Sequence, residues 1–225
     1  MKISNAQAFA QLCNQYLFII LTTALLITPN ISHSITISDL YISEIMANPE
    51  AVSDSNGEWF ELYNPGSELF SFNDIVLSDN DSNHHLISAS DALIIQPGSY
   101  FVFGNNGDSS SNGGYSADYI YSNFVLANSS DEIILTDTQG NSLQLAYESG
   151  FIPSGHSMAL TSAAMTIANY DITTDFNYGV GDFGTPGTNG SSQLAPAAVP
   201  EPSSLILLLS GLLVAGYQAR KNAKP

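Results

Sequence analysis

Short runs of apolar or alternating residues follow one another along the middle of the chain. Clusters of Gly, Asn, Asp and Ser separate them at short intervals, and none of the runs keeps a helical period. Regularly spaced short strands with turn signals between them predict an all-β sandwich or barrel. The predicted strands are "LYISEIM", "EWFELY", "DIVLS", "ALIIQ", "SYFVFG", "FVLAN", "EIILTD", "SLQLAY" and "SMALT".

The N-terminal stretch has a different pattern. Lys2 precedes a largely apolar run at 17–27, and the small residues Ser32 and Ser34 follow it. A positive start, an apolar run and a small-x-small site predict a cleavable signal peptide over residues 1–34. A transmembrane anchor is the alternative, but the run is short and no basic flank follows it.

A second apolar stretch, residues 203–219, stands near the other end and carries no charge. At about 1.5 Å per helical residue, it just crosses a hydrocarbon core of about 30 Å. Arg220, Lys221 and Lys224 follow it, and basic residues favour the cytoplasmic side. We therefore predict a single transmembrane helix over 203–219 and a basic cytoplasmic tail over 220–225, with the middle of the chain exported.

Charge narrows the possible partners of that exported region. Four Lys and Arg stand against 21 Asp and Glu, a net charge of −17, and residues 3–219 contain no Lys or Arg. Nucleic-acid binding depends on basic residues that neutralise phosphates, so we predict no nucleic-acid partner. Cys13, the only cysteine, lies in the predicted signal peptide, so the mature region has no disulfide.

The sequence around the second apolar stretch resembles a known sorting signal. Pro200, Glu201 and Pro202 lie in a linker at 191–202, ahead of the apolar span and the closing basic cluster. Together these elements resemble the PEP-CTERM tail of exported bacterial proteins. The resemblance implies transient anchoring in the inner membrane, recognition by an exosortase-type peptidase, removal of the tail, and release to the cell surface or matrix. A permanent single-span anchor remains the alternative.

The middle of the chain resembles the lamin tail domain, an immunoglobulin-like β-sandwich. The resemblance implies such a sandwich over residues 35–190, acting as a non-enzymatic binding or structural module for matrix polysaccharide or protein. Because the family also occurs beside catalytic domains, an accessory role in an extracellular hydrolase or nuclease system is an alternative. The segments that carry the resemblance are "ISEIMANP", "GEWFELYNPG", "IQPGSYFVFG", "LANSSDEIILTDTQGN" and "FGTPGTN".

One acidic stretch has spacing suited to a hard cation. "DNDSN" places Asp79, Asp81 and Asn83 at alternating positions, as in loops that wrap calcium in oxygen ligands. The glycine and the distal glutamate of an EF-hand are missing at their usual offsets, so a solvated acidic turn is the alternative. Calcium is the only cofactor the sequence suggests, and a calcium-dependent surface adhesin is a further alternative function.

Two glutamates fall within predicted strands. Alternation places Glu44 on the face of Ile42 and Met46, and Glu61 on the face of Trp59. A carboxylate buried without Lys or Arg must accept N–H or hydroxyl donors, bind a cation or stay protonated. We predict a structural role through hydrogen bonds to loop backbone, with an exposed strand edge as the alternative.

Catalytic motifs are weak. "GHSMA" at 155–159 resembles the nucleophile elbow of α/β-hydrolases, but His156 is the last histidine and precedes the serine. His84 and His85 are predicted to lie in a loop or turn, and the polar stretch at 104–116 to form a mobile surface loop. Tyr119 and its aromatic neighbours are candidates for glycan stacking or, alternatively, for core packing.

Overall fold

The structure, a computed structural model, describes residues 34–88 and 93–188. The predicted signal peptide up to residue 33, the Pro200–Glu201–Pro202 motif, the apolar span and the basic tail lie outside the described residues. Within the two described ranges, no helix is long and apolar enough to cross a membrane.

Short strands dominate the described residues, with one helical turn, α1, at Asp54–Gly57 and 3₁₀ turns at Ile37–Asp39 and Ile167–Asn169. The strands are β1 (Tyr41–Met46), β2 (Trp59–Tyr63), β3 (Phe70–Ser71), β4 (Ile75–Ser78), β5 (His84–Ile87), β6 (Ile94–Ile95), β7 (Tyr100–Gly104), β8 (Tyr119–Ile120), β9 (Asp131–Thr136), β10 (Ser142–Tyr147), β11 (Met158–Leu160) and β12 (Tyr170–Ile172).

The strands form two main sheets. The larger has the order β12-β11-β1-β2-β7-β8, the smaller has the order β10-β9-β4-β5, and β3 pairs with β6. All pairs are antiparallel except β7 with β8. The predicted all-β, immunoglobulin-like sandwich is confirmed.

The core lies between the two main sheets. Phe60 and Phe103, from neighbouring strands of the larger sheet, stack with ring centroids 4.9 Å apart. Leu77 and Leu135 of the smaller sheet belong to the same buried cluster. Each such side chain stabilises the fold by about 1.5–3 kcal/mol through burial. The alternation in the sequence arises because every second residue of these strands faces this core.

The larger sheet is also covered on its outer face, the side away from this core. Met46, Trp59, Val102 and Tyr115 form a second buried cluster there. Tyr178 packs against it, with its hydroxyl accepting a hydrogen bond from Trp59 Nε1 at 2.9 Å. The central strands β1 and β2 are therefore enclosed on both sides.

The 104–116 loop is part of that cover, so the prediction of a mobile surface loop is wrong for its second half. Asn112 is 1% exposed, and its Nδ2 donates to the carbonyl oxygens of Asn106 and Tyr115 at 2.9 and 3.1 Å. Gly114 has φ +101°, and a Cβ there would lie 2.5 Å from the Cα of Gly179. Glycine thus allows the loop to approach the 176–188 segment backbone to backbone.

The prediction that Glu44 shares a strand face with Ile42 is wrong, because β1 contains a β-bulge. The register of β1 against β2 shifts between Ile42 and Glu44, because one extra residue opposes the partner strand. Ile42 therefore faces the core between the sheets, whereas Glu44 lies on the outer face with Met46.

Two further elements differ from the predictions. His84 and His85 lie in strand β5, not in a loop, because they pair with β4. The run "FVLAN" is not a strand, although its Phe124 and Leu126 are buried in the core. Whether such a run forms a strand depends on pairing with a neighbouring strand, which local sequence patterns do not reveal.

Candidate functional site

Glu44 and Glu61 lie directly opposite each other on β1 and β2. Their side chains are 2% and 1% exposed and belong to the outer face of the larger sheet. The 176–188 segment crosses over them and contacts both carboxyl groups. Neither glutamate lies at an exposed strand edge.

Three donors converge on Glu44. Thr185 donates its backbone N–H to Oε1 at 2.8 Å and its hydroxyl to Oε2 at 2.5 Å. The hydroxyl of Ser157, in the turn before β11, donates a very short hydrogen bond to Oε1. All three donors are neutral, so the carboxyl group is satisfied without a cationic partner.

Glu61 is held in a similar way. The hydroxyl of Ser43, the residue at the bulge, donates to its Oε1 at 2.7 Å. The backbone N–H of Gly187 donates to Oε2 at 2.6 Å. Gly187 has φ +82°, a conformation that glycine adopts readily, and a turn in which Thr188 donates to the Thr185 carbonyl oxygen presents this N–H.

Burial is the largest influence on the pKa of both carboxyl groups. Desolvation raises the pKa of Glu44 above its ordinary value, although the donors from Ser157 and Thr185 act in the opposite direction. Desolvation, assisted by the neighbouring Glu44, raises the pKa of Glu61 well above its ordinary value. Both shifts mean that the folded state favours a proton on this pair.

Glu58 is a third buried carboxyl group, and the sequence analysis missed it. It is 3% exposed, and its Oε2 accepts from the backbone N–H of Leu126 at 3.1 Å and from Asn105 Nδ2 at 3.4 Å. Burial raises its pKa to about 8, to which Asp54 contributes. Its position beside Trp59, in a region without Lys or Arg, is the sequence feature that could have indicated a buried carboxyl group.

The serine of "GHSMA" has a structural position. Ser157 is fully buried and its hydroxyl is directed to Glu44. The neighbouring His156 contacts the Thr173 carbonyl oxygen through Nδ1 at 2.8 Å and stacks on Phe183. The hydroxyl and the imidazole therefore do not face each other as nucleophile and base.

The predicted calcium ligands form a hairpin turn. Asp79 Oδ1 accepts the backbone N–H groups of Asp81 and Asn83 at 2.9 and 3.1 Å, and its Oδ2 accepts from Asn83 Nδ2 at 2.5 Å. Asp137 makes the same set of contacts to Gln139 and Asn141 in the β9–β10 turn. Among the described residues, no three His, Cys, Asp or Glu side chains are grouped to hold a metal ion. Calcium at Asp79 stays a prediction.

Most of the aromatic candidates for glycan stacking are buried. Tyr115, Tyr121 and Phe124 are 2–3% exposed, and Tyr119 contacts His85 Nε2 through its hydroxyl at 2.8 Å. Exposed aromatic surface occurs instead at Phe176, which is 48% exposed.

Phe176 lines a shallow groove on the outer side of the 176–188 segment. Tyr178 and Pro186 add apolar surface to it, and Ser116 and Thr188 add hydroxyl groups. Sequence patterns do not reveal this groove, because its two walls, around residues 114–116 and 176–188, are distant in the sequence. Thr185, which also lines the groove, is held in place by its hydrogen bonds to the buried Glu44.

Comparison with known families matches residues 33–150 to the Lamin Tail Domain. The chain belongs to the lamin tail domain family. Residues 198–222 match the PEP-CTERM protein-sorting motif, so the predicted family and sorting signal are both confirmed. A comparison with curated proteins found no match.

In this lamin tail domain protein, the fold continues past the matched region. Strands β11 and β12 follow residue 150 and extend the larger sheet next to β1. The hydroxyl of Tyr170, at the start of β12, donates to the Ile42 carbonyl oxygen at 2.5 Å. Residues 151–188 therefore complete the sheet and supply the cover over Glu44 and Glu61.

Two substitutions of Glu61 distinguish the effect of its charge on stability from the effect of its hydrogen bonds. Glu61→Gln keeps an oxygen for the Gly187 N–H and an amide for the Ser43 hydroxyl, so we expect a higher melting temperature at pH 8. Glu61→Ala leaves the Gly187 N–H without its side-chain acceptor and leaves the Ser43 hydroxyl only the backbone carbonyl oxygen of residue 61, so it should destabilise the protein by about 2–4 kcal/mol. Thermal unfolding measures both effects, and the exposed Glu148→Gln serves as control. Melting temperatures equal to that of the wild type for both Glu61 variants would contradict the structural role.

The raised pKa of Glu58 predicts that stability falls with pH. Below about pH 4.5 the carboxyl is protonated in both states. Between about pH 4.5 and 8 it ionises in the unfolded chain first, so the free energy of unfolding decreases and then levels off. Glu58→Gln should show a shallower decline and a higher melting temperature than the wild type at pH 9, with little difference at pH 4. Superimposable profiles from pH 4 to 9 would refute this assignment.

Proposed function

We propose that this lamin tail domain protein is a non-enzymatic binding module for neutral polysaccharide of the cell envelope or extracellular matrix. Its PEP-CTERM motif supports export to the cell surface or the medium. The observation that carries the binding role is the groove at Phe176, which combines exposed aromatic surface with hydroxyl groups.

The groove has the chemistry that sugars require. An exposed ring such as that of Phe176 offers apolar area to the C–H face of a pyranose, and the hydroxyls of Ser116 and Thr188 can exchange hydrogen bonds with sugar hydroxyls. No Lys or Arg occurs in residues 3–219, so an anionic polymer would be repelled. These properties favour an uncharged glycan.

The absence of enzymatic activity is part of the proposal. Catalysis by a serine needs its hydroxyl beside a base, with space for substrate. Ser157 is fully buried and hydrogen-bonded to Glu44, while His156 contacts a backbone carbonyl oxygen. These contacts support a structural use of the groups that sequence motifs associate with hydrolysis.

Sorting is the second part of the proposal. An exosortase-type peptidase would cleave near the PEP motif after the apolar span has held the chain in the inner membrane. The match of residues 198–222 to the PEP-CTERM sorting motif supports this part of the proposal.

Phe176→Ala tests the binding role. We expect the variant to bind neutral matrix polysaccharide about tenfold more weakly in affinity electrophoresis, because stacking area is lost. Val180→Ala is the matched control, since Val180 is 69% exposed on the same segment but does not line the groove. Equal affinities for the two variants, or turnover of the polysaccharide by the wild type, would contradict the proposal.

The mass of the protein recovered from the native cell surface tests sorting. Cleavage predicts a C-terminus between residues 199 and 203 and loss of the apolar span. An intact chain ending at Pro225 in the inner membrane would contradict cleavage and favour a permanent anchor. This outcome is independent of the polysaccharide experiment.

A further inference from the structure

A second depression is lined by other residues of the 176–188 segment than those that line the groove at Phe176. Its lining includes Glu50, Gly155, His156 and Asp182. Backbone hydrogen bonds hold its walls together, because Gly155 donates to the Asn48 carbonyl oxygen and accepts from the Phe183 N–H, both at 2.8 Å. The depression is therefore built from segments that are rigidly connected.

Asp182 contributes a carboxyl group with one unsatisfied oxygen. The side chain is 2% exposed, and its Oδ1 accepts the backbone N–H groups of Glu50 and Ala51 at 2.9 and 3.1 Å. Its Oδ2 is buried and has no hydrogen-bond partner within residues 34–88 and 93–188. Buried polar atoms are almost always satisfied, so an oxygen of this kind indicates a missing ion or water.

Gly155 leaves space between Asp182 and a second carboxyl group. It has φ +69°, and a Cβ on it would lie 3.0 Å from Glu50 Oε2 and 3.4 Å from Asp182 Oδ1. Glu50 Oε2 and Asp182 Oδ1, the oxygen that accepts the two backbone N–H groups, therefore both lie close to the position that a Cβ of residue 155 would occupy. Residues 3–219 contain no Lys or Arg, so neither carboxylate has a lysine or arginine partner within that range.

We propose that Asp182 and Glu50 bind a calcium ion at this depression. Calcium takes six to eight oxygen ligands at about 2.3–2.6 Å in flexible geometry, including carboxylates, backbone carbonyls and water. The site offers one buried and one exposed carboxylate, with open solvent beside them. This arrangement suits the flexible coordination of calcium better than the strict octahedral coordination that magnesium requires. The site is separate from Asp79, whose carboxylate already accepts three hydrogen bonds in its turn.

Calcium at this site would reinforce one junction of the fold. Asp182 already connects the 176–188 segment to the backbone at Glu50 and Ala51. An ion shared with the Glu50 carboxylate would add a second connection between the same two segments. Because that segment also covers Glu44 and Glu61, the ion should raise the stability of the whole domain.

Thermal unfolding of the purified full-length protein, with calcium chloride as the only added ligand, tests the proposal. At a calcium concentration about 100 times the dissociation constant, we expect the melting temperature to rise by roughly 5 °C or more. Asp182→Asn keeps an oxygen for the two backbone N–H groups but removes the charge, so its melting temperature should not respond to calcium. Calorimetric titration of the wild type with calcium should give one site.

Two further variants make every outcome decisive. Asp79→Asn is the matched control, and it should retain the full calcium shift because it alters only the hairpin turn. Glu50→Gln changes an exposed side chain and should weaken the shift, so it decides the question if Asp182→Asn does not fold. The proposal would be overturned if the wild type showed no calcium response. It would also be overturned if the response survived in Asp182→Asn, was undiminished in Glu50→Gln, or was lost only in Asp79→Asn.

Discussion

The burial of carboxyl groups in a domain that has no Lys or Arg is the constraint on which the rest of the structure depends. Glu44, Glu58 and Glu61 lie on or beside the central strands β1 and β2, and each is at most 3% exposed. Without cationic partners, their oxygens must be met by N–H and hydroxyl donors. Apart from Ser43 on β1, those donors come from residues outside the strands, so satisfying the carboxyl groups fixes the loops in place.

This constraint connects the scaffold to the candidate binding surfaces. The 176–188 segment is attached through Thr185 and Gly187, and its residues line both the groove at Phe176 and the depression at Asp182. Loops held on a rigid sandwich are where binding residues usually occur. The matched sorting motif follows at residues 198–222.

The sequence predicted the parts of this structure that repeat locally. Alternation in "WFELY" and "SLQLAY" predicted strands, and the missing basic residues drew attention to Glu44 and Glu61. It did not predict the bulge at Ser43, because the extra residue is visible only in the register of β1 against β2. Asp182 was missed for a different reason: its acceptor role depends on Glu50 and Ala51, which are distant in sequence. Glu58 could have been found by the argument that was applied to Glu61.

The central claim is that these buried carboxyl groups hold the loops in place and favour the protonated form. A carboxyl carbon-13 NMR titration of the ¹³C-labelled protein measures this most directly, with the amide resonances of Leu126, Thr185 and Gly187 followed in parallel. The account predicts that all three glutamates titrate above the ordinary range and that each amide shifts together with the carboxyl group it contacts. Ordinary pKa values near 4.5, or amide shifts that do not follow the carboxyl titrations, would contradict it.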